Sequence, residues 1–436
     1  MRIRSTLTTT ATLGAAAVLT AGCLSEGGGG GGGSGNTSNT IEVMYAFAGE
    51  QEAGFQAEVE AWAAENDVTV EFSQTGNFNQ LINTRVQGND APDVALFPQP
   101  GIMTDLAGEG LLADLTDVVD QADLDAMIPG ALETGQVDGT QYAVPMSINV
   151  KSIVFYPKGA AEAAGLTEPP ATLEDLQALT EGIAATGTTP WCFGIESEAA
   201  TGWPATDWVE NLMLINYGSE TYNEWVNHEI PFNDPQVVDV LEQMEGLLLE
   251  EGRTNGGRQS IASSNFNTAA NPMFDEPPGC YMYRQGNFVA TPGNFPDDVI
   301  ADIDNQVGVF PMPGLTAEDK PVLGGGDLAG IFSQENESAQ KLVQFLSSAE
   351  FGTNGYAENG TWFSARTDFD TSLYANEVMK SIGDIAYSST EFVFDGSDQM
   401  PGEVGSGSFW REMTAYISGG TDAKTALDNI EASWPQ

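Results

Sequence analysis

Chemistry needs reactive groups at workable spacing, and this sequence of 436 residues offers few of them. It has 63 Asp and Glu, one histidine (His228) and three cysteines (Cys23, Cys192 and Cys280). There is no Gly-x-Ser-x-Gly elbow, and His228 is far in sequence from any candidate nucleophile, so a nucleophile–base relay has no basis. Within Asn227-His228-Glu229, the histidine reads as a surface residue, and no ligand set for a metal gathers around the cysteines. Among so many carboxylates some pairs fall close by chance, so the sequence neither supports nor removes a glycosidase-like pair. Gly324-Gly325-Gly326 before Asp327 lacks the spacing and the following Lys of a phosphate loop, and reads as a turn or a close backbone approach. No metal or cofactor is expected. The richer signal is aromatic. Trp191, Trp203, Trp208, Trp362 and Trp410 sit in stretches dense in Gly, Pro, Thr and Ser. An indole face suits the C–H face of a sugar, while amides and carboxylates suit its hydroxyls. Trp203 and Trp362, in loop-like settings, read as binding residues; Trp62 and Trp225, on helical patterns, read as core.

Charge narrows the ligand. With 14 Lys and Arg against 63 Asp and Glu, the formal charge is −49, which repels nucleic acid and anionic lipid. Six lysines leave little material for a basic pocket, so a neutral ligand fits best. Two accounts of the acidity stand side by side: adaptation to high salt, where the Debye length shrinks to about 3 Å at 1 M, and lineage bias combined with solubility. Hydrophobic residues at 41% and charged residues at 18% describe a globular chain.

These groups must be positioned by folded elements, and the front of the chain is not one. Arg2 and Arg4, an apolar run from Ala11 to Leu19, then Ala21 and Gly22 make residues 1–22 a secretory signal. Leu19-Thr20-Ala21-Gly22-Cys23 resembles a bacterial lipobox, although Thr20 stands where an aliphatic residue is usual. The resemblance implies a lipid on Cys23 and a place on the outer face of the cell membrane. Gly27 to Gly33 and the polar stretch to Thr40 form a leash with a reach of roughly 20–25 Å. No stretch has the ~20 apolar residues of a spanning helix. From Ile41 the periodicity alternates: strand Ile41 to Phe47, helix Glu50 to Glu65, strand Val68 to Phe72, helix Phe78 to Gly88 and buried strand Asp93 to Phe97. That pattern predicts an α/β fold with largely parallel sheets, whose ligands sit at the carboxyl ends of the strands. A strand-rich tract, Tyr142 to Tyr156, carries Pro145, Asn149 and Lys151. Helices are expected over Leu173 to Ala185, Pro204 to Leu214 and Val237 to Glu251, and a return to sheet near Val307 to Phe310 and Gly324. The chain reads as two lobes crossed more than once. With Cys23 assigned to lipid, Cys192 and Cys280 are an even pair in an oxidising compartment and predict a disulfide.

Several stretches carry a family resemblance. Gly49-Glu50, Ala91-Pro92-Asp93-Val94 through Phe97-Pro98-Gln99-Pro100-Gly101, Val154-Phe155-Tyr156-Pro157-Lys158, Thr189-Pro190-Trp191-Cys192-Phe193-Gly194 and Thr201-Gly202-Trp203-Pro204-Ala205-Thr206-Asp207-Trp208 resemble the bacterial extracellular solute-binding proteins of carbohydrate importers, especially their α-glucoside-binding branch. Pro272-Met273-Phe274, Pro277-Pro278-Gly279-Cys280 and Arg284 through Phe288 continue the likeness over nearly the whole folded part. It implies a periplasmic-binding-protein-like α/β fold, with residues 41–150 and about 311–360 in one lobe and residues 151–310 and about 361–436 in the other. It also implies a monomer that holds a neutral mono- or oligosaccharide between the lobes and delivers it to an ABC permease without chemistry on the ligand. Carried over by position, Glu50, Asp93 and Asp327 would accept sugar hydroxyls, Asn149 would donate and accept, and Trp203 and Trp362 would stack. Arg366 would either donate to sugar oxygens or serve an ion pair. The rival reading is an extracellular glycan-active enzyme.

Overall fold

The computed structural model describes residues 39–435, so the expected signal, Cys23 and the glycine leash lie outside the described residues. Strand Thr40–Tyr45 (β1), helix Gly49–Asn66, strand Thr69–Gln74 (β2), helix Phe78–Gln87 and strand Val94–Phe97 (β3) follow in order. The three strands are parallel with β1 in the middle, as the alternating periods predict. Helix Gly49–Asn66 buries Phe55, Val59 and Ala63 at four-residue spacing and stops at Asp67, a left-handed residue whose N–H returns to the Ala63 carbonyl. All four residues of β3 are buried, which is why it reads as an unbroken apolar run.

The sheet is completed from far along the chain. A small hairpin, Gln136–Val137 (β4) with Thr140–Gln141 (β5), leads into Ala143–Pro145 (β6). Leu328–Ile331 (β12) lies antiparallel between β3 and β6. A second, antiparallel sheet holds Ile153–Pro157 (β8) between Val307–Pro311 (β10) and Tyr283–Gln285 (β9). A third holds Pro321–Gly325 (β11) between Glu391–Phe394 (β13), parallel to it, and Asn149–Val150 (β7), antiparallel. The third sheet is joined to the first by short links: Pro145 to Asn149, and Gly325 to Leu328. Gly326, at φ 148°, makes the second link possible, because a Cβ there would lie 2.1 Å from the Ser147 carbonyl. The glycine triplet therefore serves a close approach between backbones.

Helix Trp203–Val226 runs well past the expected Leu214 but is broken at Gly218 (φ 77°, ψ 173°). Its residues from Pro204 to Ile215 are buried on every face, the mark of a central helix. Trp191 and Trp208 are core here: their rings meet edge to face at 5.2 Å, and Trp191 Nε1 donates to Thr180 Oγ1. Trp225 is buried as expected, and Trp62 stacks half-buried on Phe345. The helix expected over Val237 to Glu251 is α-helical over Pro235–Met244 and continues as a π turn, Glu245–Leu249. His228 stacks on Trp434 with Nε2 3.0 Å from the Glu431 carboxylate.

Cys192 and Cys280 are bonded, with Cα atoms 5.4 Å apart and a sequence separation of 88. Closing so long a loop restricts the unfolded chain. Reduction, or a Cys192→Ala/Cys280→Ala variant, is expected to lower the unfolding free energy by about 2–5 kcal/mol, read from urea denaturation with and without reductant. An unchanged midpoint and slope would show that the bridge contributes nothing.

Candidate functional site

The run from Ser147 to Lys151 links the first sheet to the second and is paired along its length, Asn149 with Gly325 and Val150 with Gly324. Asp327, just beyond the glycines, is delivered beneath it. Its carboxylate accepts from Ser147 Oγ at 3.1 Å, its N–H donates to the same oxygen, and its carbonyl accepts from Met146 N. Burial pushes the Asp327 carboxyl up to about 7, against the lowering effect of the Ser147 hydrogen bond.

At the other end of this run the Lys151 ammonium is enclosed by acids from different elements. Nζ donates to Asp207 Oδ1 at 3.2 Å and to Asp395 Oδ2. Asp207 lies in helix Trp203–Val226, and Asp395 directly follows β13. The Arg284 guanidinium, from β9, lies 3.4 Å from the other Asp207 oxygen. Glu210 is fully buried and accepts from the N–H groups of Gly396 and Ser397. Carboxylate oxygens of Asp207, Glu210 and Asp395 approach within 4.8 Å of one another, and the cation bonded to two of them is Lys151. Burial opposes charge on Lys151, but Asp207, Asp395 and Asp398 outweigh it and hold the ammonium above the ordinary lysine range. Burial would likewise raise Asp395, yet Lys151 holds it below the usual carboxylate range. Glu210, without such a cation contact, is raised well above that range by burial and by the charges of Asp395 and Asp207.

Aromatic rings adjoin this cluster. Trp203 opens its helix behind Gly202 and ahead of Pro204, and its ring meets Phe266 at 4.8 Å and Phe288 at 5.9 Å. Lys151 Nζ lies 5.2 Å from the Trp203 centroid, within cation–π range. Trp410 Nε1 reaches Ser397 Oγ at 3.4 Å, and a Cβ on Gly202 would collide with the Trp410 carbonyl, so two aromatic segments are fastened together.

The carboxyl end of β3 meets the cluster from the first sheet. Gln99 Nε2 donates to Asp398 Oδ1 at 3.0 Å, and Asn79 Nδ2 donates to Gln99 Oε1. Burial and the neighbouring Asp395 push Asp398 up to about 7. Beside this contact is a cavity of about 750 Å³ lined by amides, hydroxyls and carboxylates, including Asn79, Asn83, Gln99, Thr104, Asp105, Ser397, Asp398 and Ser406, with Met400 and Pro401 as apolar patches. Its lining contains no Lys, Arg or His. The volume is in the usual range for a small-molecule site, and the lining offers both donors and acceptors to an uncharged polar ligand.

None of the expected site residues lines this cavity: Asn149 and Asp327 lie on and beneath the Ser147 to Lys151 run, Trp203 lies beside Lys151, and Glu50 is exposed in the first turn after β1, on the carboxyl side of the sheet, with its carbonyl accepting from Asn359 Nδ2. The others are engaged inside the fold. Asp93 precedes β3, at the amino end of the strands, and accepts from Glu42 N and Asn336 Nδ2, fixing where helix Glu337–Ser347 starts. Trp362 is 2% exposed; its loop-like neighbours turn the ring inward to stack on Tyr356, while Nε1 donates to the Met146 carbonyl. Arg366 serves ion pairs, donating to Asp123, to both oxygens of Asp368 and to the Ser347 carbonyl. Sequence reasoning missed the roles of Lys151, Gln99 and Asp395 to Asp398. A lysine in an apolar tract of so acidic a chain was a usable signal for a buried counter-ion; Asp395-Gly396-Ser397-Asp398 carried none.

Asp327 gives a pH test. An unfolded Asp titrates near 3.9, so between about 4 and 7 the folded state holds a proton that the unfolded state has lost, and stability falls as pH rises through that window. Asp327→Asn is expected to flatten this decline by up to about 1.4 kcal/mol per pH unit. Thermal melts from pH 4 to 8 check it, and a slope equal to that of the parent would refute the assignment.

Comparison with known proteins places this arrangement. Residues 48–352 match the family model of bacterial extracellular solute-binding proteins. The chain is 36% identical over 405 residues to the alpha-glucosides-binding periplasmic protein AglE of Rhizobium meliloti (strain 1021), covering 91% of this chain and 87% of that protein. It is 35% identical over 398 residues to the osmoprotective compounds-binding protein GgtB of Synechocystis sp. (strain ATCC 27184 / PCC 6803 / Kazusa), covering 91% and 92%. Among solved structures, the bacterial solute receptor AcbH aligns with a TM-score of 0.75 at 20% identity, over 90% of this chain and 98% of that one. The raffinose complex of RafE aligns with a TM-score of 0.65 at 21% identity, over 91% and 98%. At those identities the likeness is one of fold: two α/β lobes. By family and fold together, the chain belongs to the bacterial extracellular solute-binding proteins and is a two-lobed binding protein, not an enzyme.

Proposed function

We propose that this protein binds a neutral carbohydrate, an α-glucoside or a short α-linked gluco-oligosaccharide, between its lobes and presents it to an ABC permease from a lipid tether on Cys23. The observation that carries the reading is the cavity of about 750 Å³ beside the Gln99–Asp398 contact, rich in amides and hydroxyls and without a basic group. A phosphorylated or carboxylated ligand would meet Asp105, Glu133 and Asp398 there with no cation to answer its charge. Glu50, Asn149, Trp203 and Asp327 belong to the site in this reading, joined by Gln99, Asp398 and Trp410. Residues 41–150 with about 311–360, and 151–310 with about 361–436, are assigned to the two lobes. Closure is a population shift, driven by ligand contacts made to both lobes at once.

The names of the two similar relatives point to different ligands, α-glucosides for AglE and osmoprotective compounds for GgtB. A small neutral osmoprotective compound is therefore the second reading. Calorimetric titration with maltose, trehalose, sucrose, maltotriose and glucosylglycerol separates the two. The expected result is saturable binding of a neutral glycoside with a matching rise in melting temperature and unchanged sugar on recovery. No response to any neutral glycoside would sink the carbohydrate assignment. Trp203→Ala is expected to weaken binding about tenfold, equivalent to ~1.4 kcal/mol of lost ring contact, while leaving the fold intact by circular dichroism.

A further inference from the structure

An asparagine followed by glycine is prone to lose its side-chain amide, because glycine puts no side chain in the way of its own backbone nitrogen. The chain has three such pairs: Asn255-Gly256, Asn354-Gly355 and Asn359-Gly360. The reaction needs the glycine nitrogen within about 3–3.5 Å of the asparagine side-chain carbon, so a pair reacts readily only where its side chain and its peptide unit can both turn. The fold treats the three pairs differently. Asn359 is fastened: Nδ2 donates to the Glu50 carbonyl, Oδ1 accepts from Thr361 N and Oγ1, and Gly360 N donates to the Ala357 carbonyl. Asn255 is half-buried in a turn that Gly257 N closes on the Thr254 carbonyl, and its own N–H donates to the Trp191 carbonyl. Asn354 and Gly355 are both exposed. Among the described residues no hydrogen bond engages the Asn354 side chain, the Asn354 carbonyl or the Gly355 N–H, and nothing lies within 4 Å of where a Cβ on Gly355 would stand.

We propose that Asn354 is a site of spontaneous modification, deamidating ahead of the other two pairs, and that the product loosens the segment around it. The Gly355 nitrogen bonds to the Asn354 side-chain carbon, and the amide nitrogen leaves as ammonia, taking the glycine proton with it. Water, the only co-reactant, then opens the five-membered imide at one of its two carbonyls. One opening leaves aspartate; the other leaves isoaspartate, with the main chain routed through the side-chain carbons. The residues on either side are held in place. Glu58 Oε1 accepts from Gly352 N at 3.0 Å and from Asn354 N at 3.3 Å, and Ala357 N closes the loop on the Gly352 carbonyl. Isoaspartate lengthens the main chain by one carbon inside that loop. Aspartate sets a second carboxylate on the same residue whose N–H meets Glu58, a carboxyl that burial already disfavours in its charged form. Tyr356, two residues on, stacks on Trp362, so a displacement here reaches the core.

The test keeps the purified full chain at mildly alkaline pH and samples it by peptide mapping with mass spectrometry, with methyl transfer by protein isoaspartate methyltransferase as an independent readout. The peptide spanning position 354 is expected to gain about 1 Da roughly fivefold faster than those spanning 255 and 359, and to carry most of the methyl acceptor. In urea the three rates should converge, because the same residue pair is then free at all three places. Asn354→Gln, at an exposed position, should remove most of the methyl acceptor and keep the parent's melting temperature. Equal rates in the folded chain, or a faster rate at 255 or 359, overturns the site. The deamidated form, separated by its extra negative charge on anion exchange, is expected to melt below the parent, and identical melting overturns the loosening. Neither readout involves a sugar, so the outcome is independent of the function proposed above.

Discussion

Lys151 Nζ is the point on which the centre of the molecule depends. It bonds Asp207 from the central helix and Asp395 from the end of β13, while its own backbone N–H, just past β7, donates to the Leu323 carbonyl in β11. One ammonium group thus fixes the third sheet against the helix that carries Trp203. The cost of burying it is high in isolation. Desolvating an ion costs several kcal/mol, and the pairing repays that only when geometry is good and the remaining lone pairs are satisfied. Here Asp395 accepts from Ser397 Oγ and Glu210 is held by two backbone N–H groups, while the second Asp207 oxygen has the Arg284 guanidinium 3.4 Å away without a hydrogen bond. Such a cluster contributes more to placing its elements than to net stability, because wrong arrangements would leave buried charge unanswered.

From that placement the site follows. The cluster sets where Trp203 and the segment Gly396 to Asp398 lie, and the first sheet brings Gln99 to Asp398 across the junction. The two cations of the cluster, Lys151 and Arg284, already face acids, and no Lys, Arg or His lines the cavity. What is left for a ligand is amide, hydroxyl, carboxyl and aromatic surface. That inventory favours an uncharged, polyhydroxylated molecule and gives no means to hold a phosphate. The strong negative charge of the whole chain acts in the same direction at longer range.

Much of the first lobe was legible in sequence because its strands and helices are long enough to show their periods; Phe55, Val59 and Ala63 mark a helix face, and Val94 to Phe97 mark a strand buried on both sides. The disulfide was legible from counting. The third sheet was not, since β7 is two residues long and owes its existence to pairing with residues more than 170 positions away. Trp362 and Arg366 show the limit on site residues. Gly and Thr around the tryptophan signal a loop but not which way the ring turns, and an arginine in an acidic chain has too many possible partners for sequence to choose among. Asp93 was misplaced for a simpler reason: it lies at the amino end of a parallel strand, whereas a cleft forms at the carboxyl end.

The ion cluster holds the centre of the molecule together, and a double-mutant cycle on Lys151 and Asp395 tests it. Lys151→Met should lower the unfolding free energy by about 3–5 kcal/mol, because it leaves carboxylates buried without their cation. Lys151→Met/Asp395→Asn should recover more than half of that loss, since Asp207 keeps Arg284 and no unpaired charge is left at Asp395. Losses that simply add, measured by urea denaturation of the two single variants and the double, would contradict the claim that Lys151 and Asp395 act as one unit.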